Sequence, residues 1–239
     1  MSKFVLVHGA WHGGWAWDNV RPVLKGAGHE VDALDLPGHG SDSTPTSEVT
    51  LKSYVDRTVE ALDASDEPVY LVGHSLAGAV IGEVAERRPE KIEKLVYVCA
   101  FMLQNGESAL GWSQSDEGSI ILQSLQMSED QSTATVSDDG LRNALYNDAP
   151  DEVVEAARKR LDNQSLEPFG AQAAVTDENF GRVPRIYIET TEDRAVSNSV
   201  QRQMISNLPV EKVYTMDTSH LPMASKPEEL GRNLNDIAS

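Results

Sequence analysis

Short apolar runs alternate with stretches of helical hydrophobic period along most of this chain, the pattern a parallel sheet with crossover helices requires. Residues 4–7 predict a short strand, 17–27 a helix ending at Gly28, and 29–36 a second strand stopped by Pro37-Gly38. Over 50–64, Leu51, Tyr54, Val55, Val59 and Leu62 share one helical face, with Thr50 placed as N-cap. Residues 69–73 predict a strand running directly into a small-residue helix over 76–88, and 92–100 a strand apolar enough to be central. The alternation breaks over about 103–182, which is rich in Ser, Asp, Gln and Glu, with helices expected over 115–126 and 151–161. It then resumes with strands over 185–189 and 212–216 and helices over 198–207 and 222–238. The expectation is therefore one domain over 1–239, an α/β fold of six mostly parallel strands, with a cap inserted over about 103–182.

Composition narrows the function classes. No apolar run approaches the roughly 18 residues of a membrane span. The first residues, Met-Ser-Lys-Phe-Val-Leu-Val-His, enter a strand without the apolar core and cleavage site of a signal peptide, so a cytoplasmic protein is expected. The lone Cys99 cannot form an internal disulfide and stands in a run that predicts a buried strand. With 38 acidic against 20 basic side chains the net charge is −18, which repels phosphate backbones and anionic lipid. Neither nucleic acid nor membrane is an expected partner. The acidity itself has two readings, solubility and adaptation to high salt.

The strongest local signal is Gly73-His74-Ser75-Leu76-Ala77-Gly78, set between a predicted strand and a predicted helix. A nucleophilic serine on a sharp strand-to-helix turn needs small neighbours and a following amide aimed at the developing oxyanion. Here Ala77 replaces the last glycine of G-x-S-x-G, a small enough residue to keep the close approach. Such a serine takes its partners from later in the chain, in the order Ser, acid, His. His8, His12, His29, His39 and His74 all precede Ser75, and only His220 follows it. His220 falls just after the last predicted strand, at the carboxyl edge where open parallel sheets bind ligands. Of the acids near the preceding strand, Asp193 lies furthest out, Glu189 belongs to the strand, Glu192 is a neighbour, and Asp217 is three residues from the histidine. Asp193 is the expected orienting acid. The amides of Leu76 and Ala10 are the expected oxyanion donors, the second kept accessible by the Gly9-Ala10 pair. Trp11, Trp15 and Trp17 are expected to pack beneath that loop and against the cap, and His39 to lie on the surface in a Gly38-His39-Gly40 turn.

Residues 4–17, Ala33-Leu34-Asp35-Leu36, 70–78 and 185–193 closely resemble the plant methyl esterase and hydroxynitrile lyase branch of the α/β-hydrolases and its bacterial esterase relatives. The resemblance covers nearly the whole chain and thins across 113–166. It implies the α/β-hydrolase fold with a helical cap, Ser75, Asp193 and His220 as a triad, the Ala10 and Leu76 amides as oxyanion hole, and no metal or organic cofactor. Three functions compete: hydrolysis of a small-molecule ester through an acyl-enzyme on Ser75, a lyase using the same residues as a proton relay, and a non-catalytic binding module. The lyases of that branch carry a threonine beside the oxyanion loop and a lysine right after the catalytic histidine, where this chain has Gly9 and Leu221. Ester hydrolysis is the expectation, with the oligomeric state open between monomer and homodimer.

Overall fold

The structure is a computed structural model that describes residues 1–239. Nine strands follow one another along the chain: β1 (Lys3–Val7), β2 (Glu30–Leu34), β3 (Val69–His74), β4 (Ile92–Val98), β5 (Leu125–Met127), β6 (Thr133–Val136), β7 (Gln164–Ser165), β8 (Arg185–Thr190) and β9 (Lys212–Met216). Six of them form one sheet in the order β2-β1-β3-β4-β8-β9, with every neighbouring pair parallel. Helices cover both faces of such a sheet, so its central strands are apolar on both sides rather than alternating. Phe4 to Val7, Leu71 to His74 and Leu95 to Val98 are all buried, whereas the edge strands β2 and β9 alternate or open to solvent. Tyr97 and Tyr187 stack face to face across β4 and β8.

Local chemistry sets the helix boundaries. Helix Leu51–Asp63 starts at a capping box, in which the Thr50 side chain accepts from the Ser53 amide and the Ser53 side chain accepts from the Thr50 amide. The first helix starts later than its periodicity predicts, at Arg21, because Gly14–Trp17 winds as a 3-10 turn. The Asp35 carboxylate holds that turn by accepting from the Gly14 amide at 2.7 Å. The helix expected over 222–238 is two, Pro222–Ser225 and Pro227–Ile237, since Pro227 drives Lys226 out of the helical region.

Between β4 and β8 the architecture departs most from periodicity. Residues 103–182 carry helices Ala109–Ser115 and Asp151–Arg158 together with the antiparallel sheet β5-β6-β7, which no sequence pattern announced. The helix expected over 115–126 ends where it was to begin. Asp116 leaves the helical region, and its carboxylate accepts from the amides of Gly118 and, 81 residues away, Ser197. No helix of the protein is long and apolar enough to cross a membrane.

The sheet places the residues of interest together. Gly9 and Ala10 follow β1, Ser75 follows β3, Asp193 follows β8 and His220 follows β9, all at the carboxyl edge.

Candidate active site

Ser75 has φ of +55°, a left-handed conformation that costs a non-glycine residue energy and persists only where its surroundings impose it. Here three backbone bonds do so: its amide donates to the Val98 carbonyl, and its carbonyl accepts from the Gly78 and Phe101 amides. The flanking glycines are sterically required. A Cβ on Gly73 would stand 2.9 Å from the Ala77 carbonyl, and one on Gly78 would run into the Phe101 backbone. Ala77 carries its Cβ without such a conflict, which is why the motif tolerates it at that place.

His220 and Asp193 meet at 2.7 Å, imidazole Nδ1 to carboxylate Oδ2, with Asp193 6% and His220 2% exposed. Asp193 accepts four further bonds, from the amides of Ala195 and Val196 on Oδ1 and from Thr190 Oγ1 and Gln201 Nε2 on Oδ2. Surrounded by donors, this carboxylate acts as an acceptor, so the His220 proton sits on Nδ1 and Nε2 is left free as a base. The His220 carbonyl is pinned in turn, accepting from His74 Nε2 at 2.8 Å and from the Cys99 thiol at 3.3 Å. Burial, with the His220 charge next, holds His74 well below the ordinary imidazole range, so it stays neutral. Burial likewise pushes the Cys99 thiol up, which makes it unreactive. The donor atoms of His74, Cys99 and His220 lie close enough to bind a metal. Each already has a partner: His74 Nε2 and Cys99 Sγ bond the His220 carbonyl, and His220 Nδ1 bonds Asp193. Their arrangement positions a loop.

The one hydrogen bond of the His220 ring is to Asp193, through Nδ1, and no hydrogen bond joins Nε2 to Ser75 Oγ. The amides of Ala10 and Leu76 donate to no group in the protein. Buried amides are nearly always paired, so two free ones flanking a strained serine are a ready receptor for an anion. Ser75 itself is buried, 8% exposed. A cavity of about 300 Å³, lined by Trp15, Tyr146, Val153, Arg160, Leu221 and Met223 among others, borders the segment that follows His220.

The rival acids are engaged elsewhere. Glu189 turns away to Arg202, Asn198 and Thr215, and Asp217 is exposed and accepts from Thr191. Glu192 is exposed as well. His39 is not a surface residue: it is 1% exposed, its Nε2 bonds the Tyr54 hydroxyl at 2.8 Å, and its ring meets that of His8 edge to face. Left-handed backbone at Gly38 and Gly40 turns that loop inward. Trp11 and Trp17 are buried, and Trp11 packs against Phe169. Sequence reasoning did not find Asp116, Asp148 or Gln164. Asp116 bonds the loop carrying Asp193, Asp148 accepts from Ser219 and Thr218 beside His220, and Gln164 reaches Trp11 beside Ala10. Each acts across at least 70 residues of chain, and nothing in their local sequence signals it.

Residues 4–232 match the family described as the alpha/beta hydrolase family. The chain belongs to the alpha/beta hydrolase family. Among its curated relatives, this alpha/beta hydrolase is 35% identical to Methylesterase 2 of Arabidopsis thaliana, covering 99% of the chain and 96% of that protein. Its identity to salicylic acid-binding protein 2 of Nicotiana tabacum is also 35%, over 99% and 97% of the two. Among solved structures, polyneuridine aldehyde esterase superposes with a TM-score of 0.90 at 27% identity, over 100% of both chains. The pyrethroid hydrolase PytH superposes with a TM-score of 0.86 at 28% identity, over 99% of this hydrolase and 97% of the other.

Proposed function

We propose that this alpha/beta hydrolase cleaves small carboxylic esters through an acyl-enzyme on Ser75, with His220 as general base, Asp193 as its orienting acid, and the amides of Ala10 and Leu76 as oxyanion hole. The observation that carries the reading is the pair of unpartnered amides at a left-handed serine, at the same carboxyl sheet edge as a buried imidazole whose Nδ1 is bonded to a carboxylate. In the first half-reaction Ser75 Oγ attacks the ester carbonyl carbon while His220 Nε2 takes the hydroxyl proton, and the carbonyl oxygen becomes an anion held by the two amides. Collapse breaks the bond to the alkoxy oxygen, which leaves as the alcohol with the proton from His220. Water, deprotonated by the same nitrogen, then attacks the acyl carbon and releases the acid and Ser75. Asp193 keeps the imidazolium paired throughout without taking the proton itself.

Two positions weigh against cyanohydrin cleavage. Leu221 is buried and apolar where a departing cyanide would need a cation. A side chain on Gly9 would stand 2.8 Å from Ser75 Cβ and His74 Nδ1, so this backbone has room for glycine and not for threonine. The names of several relatives, methylesterases and an esterase, support hydrolysis as well. A non-catalytic binding module is disfavoured by the cost of maintaining a strained serine.

Residues 103–182 are taken as a cap on a single domain, closing over Ser75 and shaping the acyl and alcohol pockets. A cytoplasmic enzyme fits the fully buried, unpaired Cys99, which needs no oxidising compartment. The charge of −18 supports a small neutral substrate in place of nucleic acid or membrane, and light scattering separates monomer from homodimer. The deciding experiment incubates the protein with methyl and p-nitrophenyl esters of graded chain length, then quenches rapidly for mass spectrometry. Ester turnover with an acyl adduct on Ser75, and no cyanide release from mandelonitrile above the uncatalysed rate, is the expected result. Efficient cyanohydrin cleavage that disappears in Ser75→Ala would overturn it.

A further inference from the structure

The loop that carries Ala10 is held by residues of the cap. Trp11, immediately after Ala10, has φ of +63°, a strained conformation for a bulky side chain. Every polar group of Trp11 is bonded to the cap: its amide donates to Gln164 Oε1 at 3.3 Å, its carbonyl accepts from the Asp162 amide at 2.9 Å, and its indole donates to the Ala134 carbonyl at 2.9 Å. The Ala10–Trp11 peptide group is thus gripped at both polar ends. Its N–H is held by Gln164, and its carbonyl accepts from His12 Nδ1 at 2.7 Å. His12 Nε2 in turn accepts from the hydroxyl of Tyr146, another cap residue, at 2.7 Å.

Gln164 is fully buried, and its amide has one possible orientation. One end faces the Ser165 carbonyl at 2.8 Å, which can only accept, so that end is the NH₂, which also donates to the Tyr54 hydroxyl. The other end faces the Trp11 N–H, which can only donate, so it is the oxygen. Both ends of a zero-exposure amide are thereby committed.

We infer that Gln164 is a positioning residue of the oxyanion hole: its amide oxygen fixes the Ala10–Trp11 peptide and with it the Ala10 Cα, from which the preceding Gly9–Ala10 peptide, its carbonyl accepting from His8 Nδ1 at 2.8 Å, presents the Ala10 N–H to the substrate oxyanion, with Tyr146 acting on the Ala10–Trp11 peptide through His12. The inference rests on the hydrolytic reading above. A strained backbone persists only where its surroundings over-determine it, and here those surroundings belong to the cap. Seating the cap and completing the oxyanion hole are consequently one event. Without the Gln164 bond the buried Trp11 amide loses its partner, and the Ala10–Trp11 peptide relaxes toward another acceptor, shifting the Ala10 Cα that it shares with the Gly9–Ala10 peptide and taking the Ala10 N–H out of line.

The test compares wild type with Gln164→Met, which keeps the volume and removes the amide, and Tyr146→Phe, which removes only the hydroxyl. Rates are normalised to sites titrated with diethyl p-nitrophenyl phosphate. Deleting an oxyanion donor outright costs about 10²–10³ in kcat, so misaligning one in Gln164→Met should cost about tenfold, with KM changed by less than about twofold. Affinity for a trifluoromethyl ketone, which adds to Ser75 as a hemiketal anion, should weaken in parallel with kcat/KM, a correlation that a merely structural role would not produce. Tyr146→Phe should show the same split with a smaller loss. A kcat within about twofold of wild type in titrated Gln164→Met, a loss confined to KM, or an unchanged ketone affinity overturns the inference. If Gln164→Met does not fold, Tyr146→Phe decides by the same two readouts. A wild-type protein without Ser75-dependent ester turnover would overturn the functional reading itself, and this inference with it.

Discussion

At the scale of single residues, the proposed chemistry depends on which nitrogen of His220 carries the proton. Asp193 Oδ2, 2.7 Å from Nδ1, decides that, and four other donors hold the carboxylate in place. Asp193→Asn offers an amide that can present its NH₂ to the ring and favour the wrong tautomer, so ester turnover should fall by about 10⁴. Ser75→Ala and His220→Ala should abolish turnover with the circular-dichroism spectrum intact. Glu192→Gln and Asp217→Asn, at exposed residues away from the imidazole, should keep near wild-type rates. A collapse of activity in either one, with Asp193→Asn active, would transfer the acid role.

At the scale of elements, the strand-to-helix turn is held by backbone, while residues 103–182 join the core through apolar side chains and reach the loop after β8 through buried polar bonds. The turn after β3 is held by backbone on both sides, from Val98 and Phe101, and by two glycines that admit no side chain. Within 103–182, Asp116, 8% exposed, reaches the loop after β8, accepting from the Ser197 amide and hydroxyl as well as from the Gly118 amide. Asp116→Ala strands the buried Ser197 amide, and should destabilise the fold by about 1–3 kcal/mol in urea unfolding. Asp130→Ala, a fully exposed residue bonded only within its own turn, should leave the unfolding midpoint in place. Equal effects of the two would mean that the Asp116 contact to the acid loop carries no energy.

At the scale of the whole molecule, charge and buried histidines act on stability in different ways. Molar sodium chloride screens the self-repulsion of a −18 chain, so Tm should rise from low to high salt, and a flat response would leave solubility as the reason for the acidity. Acidification should do the reverse. Burial, reinforced by His39, lowers His8 to about 3, and burial lowers His12 to about 4, while both return to about 6.5 when the chain unfolds. Between those values the unfolded chain binds more protons than the native one, so stability is fully present above pH 6.5 and is lost as pH falls toward 4. Measured in molar salt, where repulsion is already screened, Tm should decline across that window; a level profile would mean that these imidazoles protonate in place. His8 and His12 also mark the boundary of what sequence alone determines. Outside 103–182, periodicity was enough for the order of the six sheet strands and the helices between them, because a strand buried on both faces and a helix buried on one leave different repeats in the chain. The small residues around Ser75 and the chain order of Ser75, Asp193 and His220 were legible for the same local reason. The inward turn of His39, the short sheet β5-β6-β7, the end of the helix at Asp116 and the grip of Gln164 on Trp11 were decided only by the tertiary structure. Each depends on a hydrogen bond or packing contact between residues distant in sequence, and a polar side chain bears no local mark of the partner that will satisfy it once both are buried.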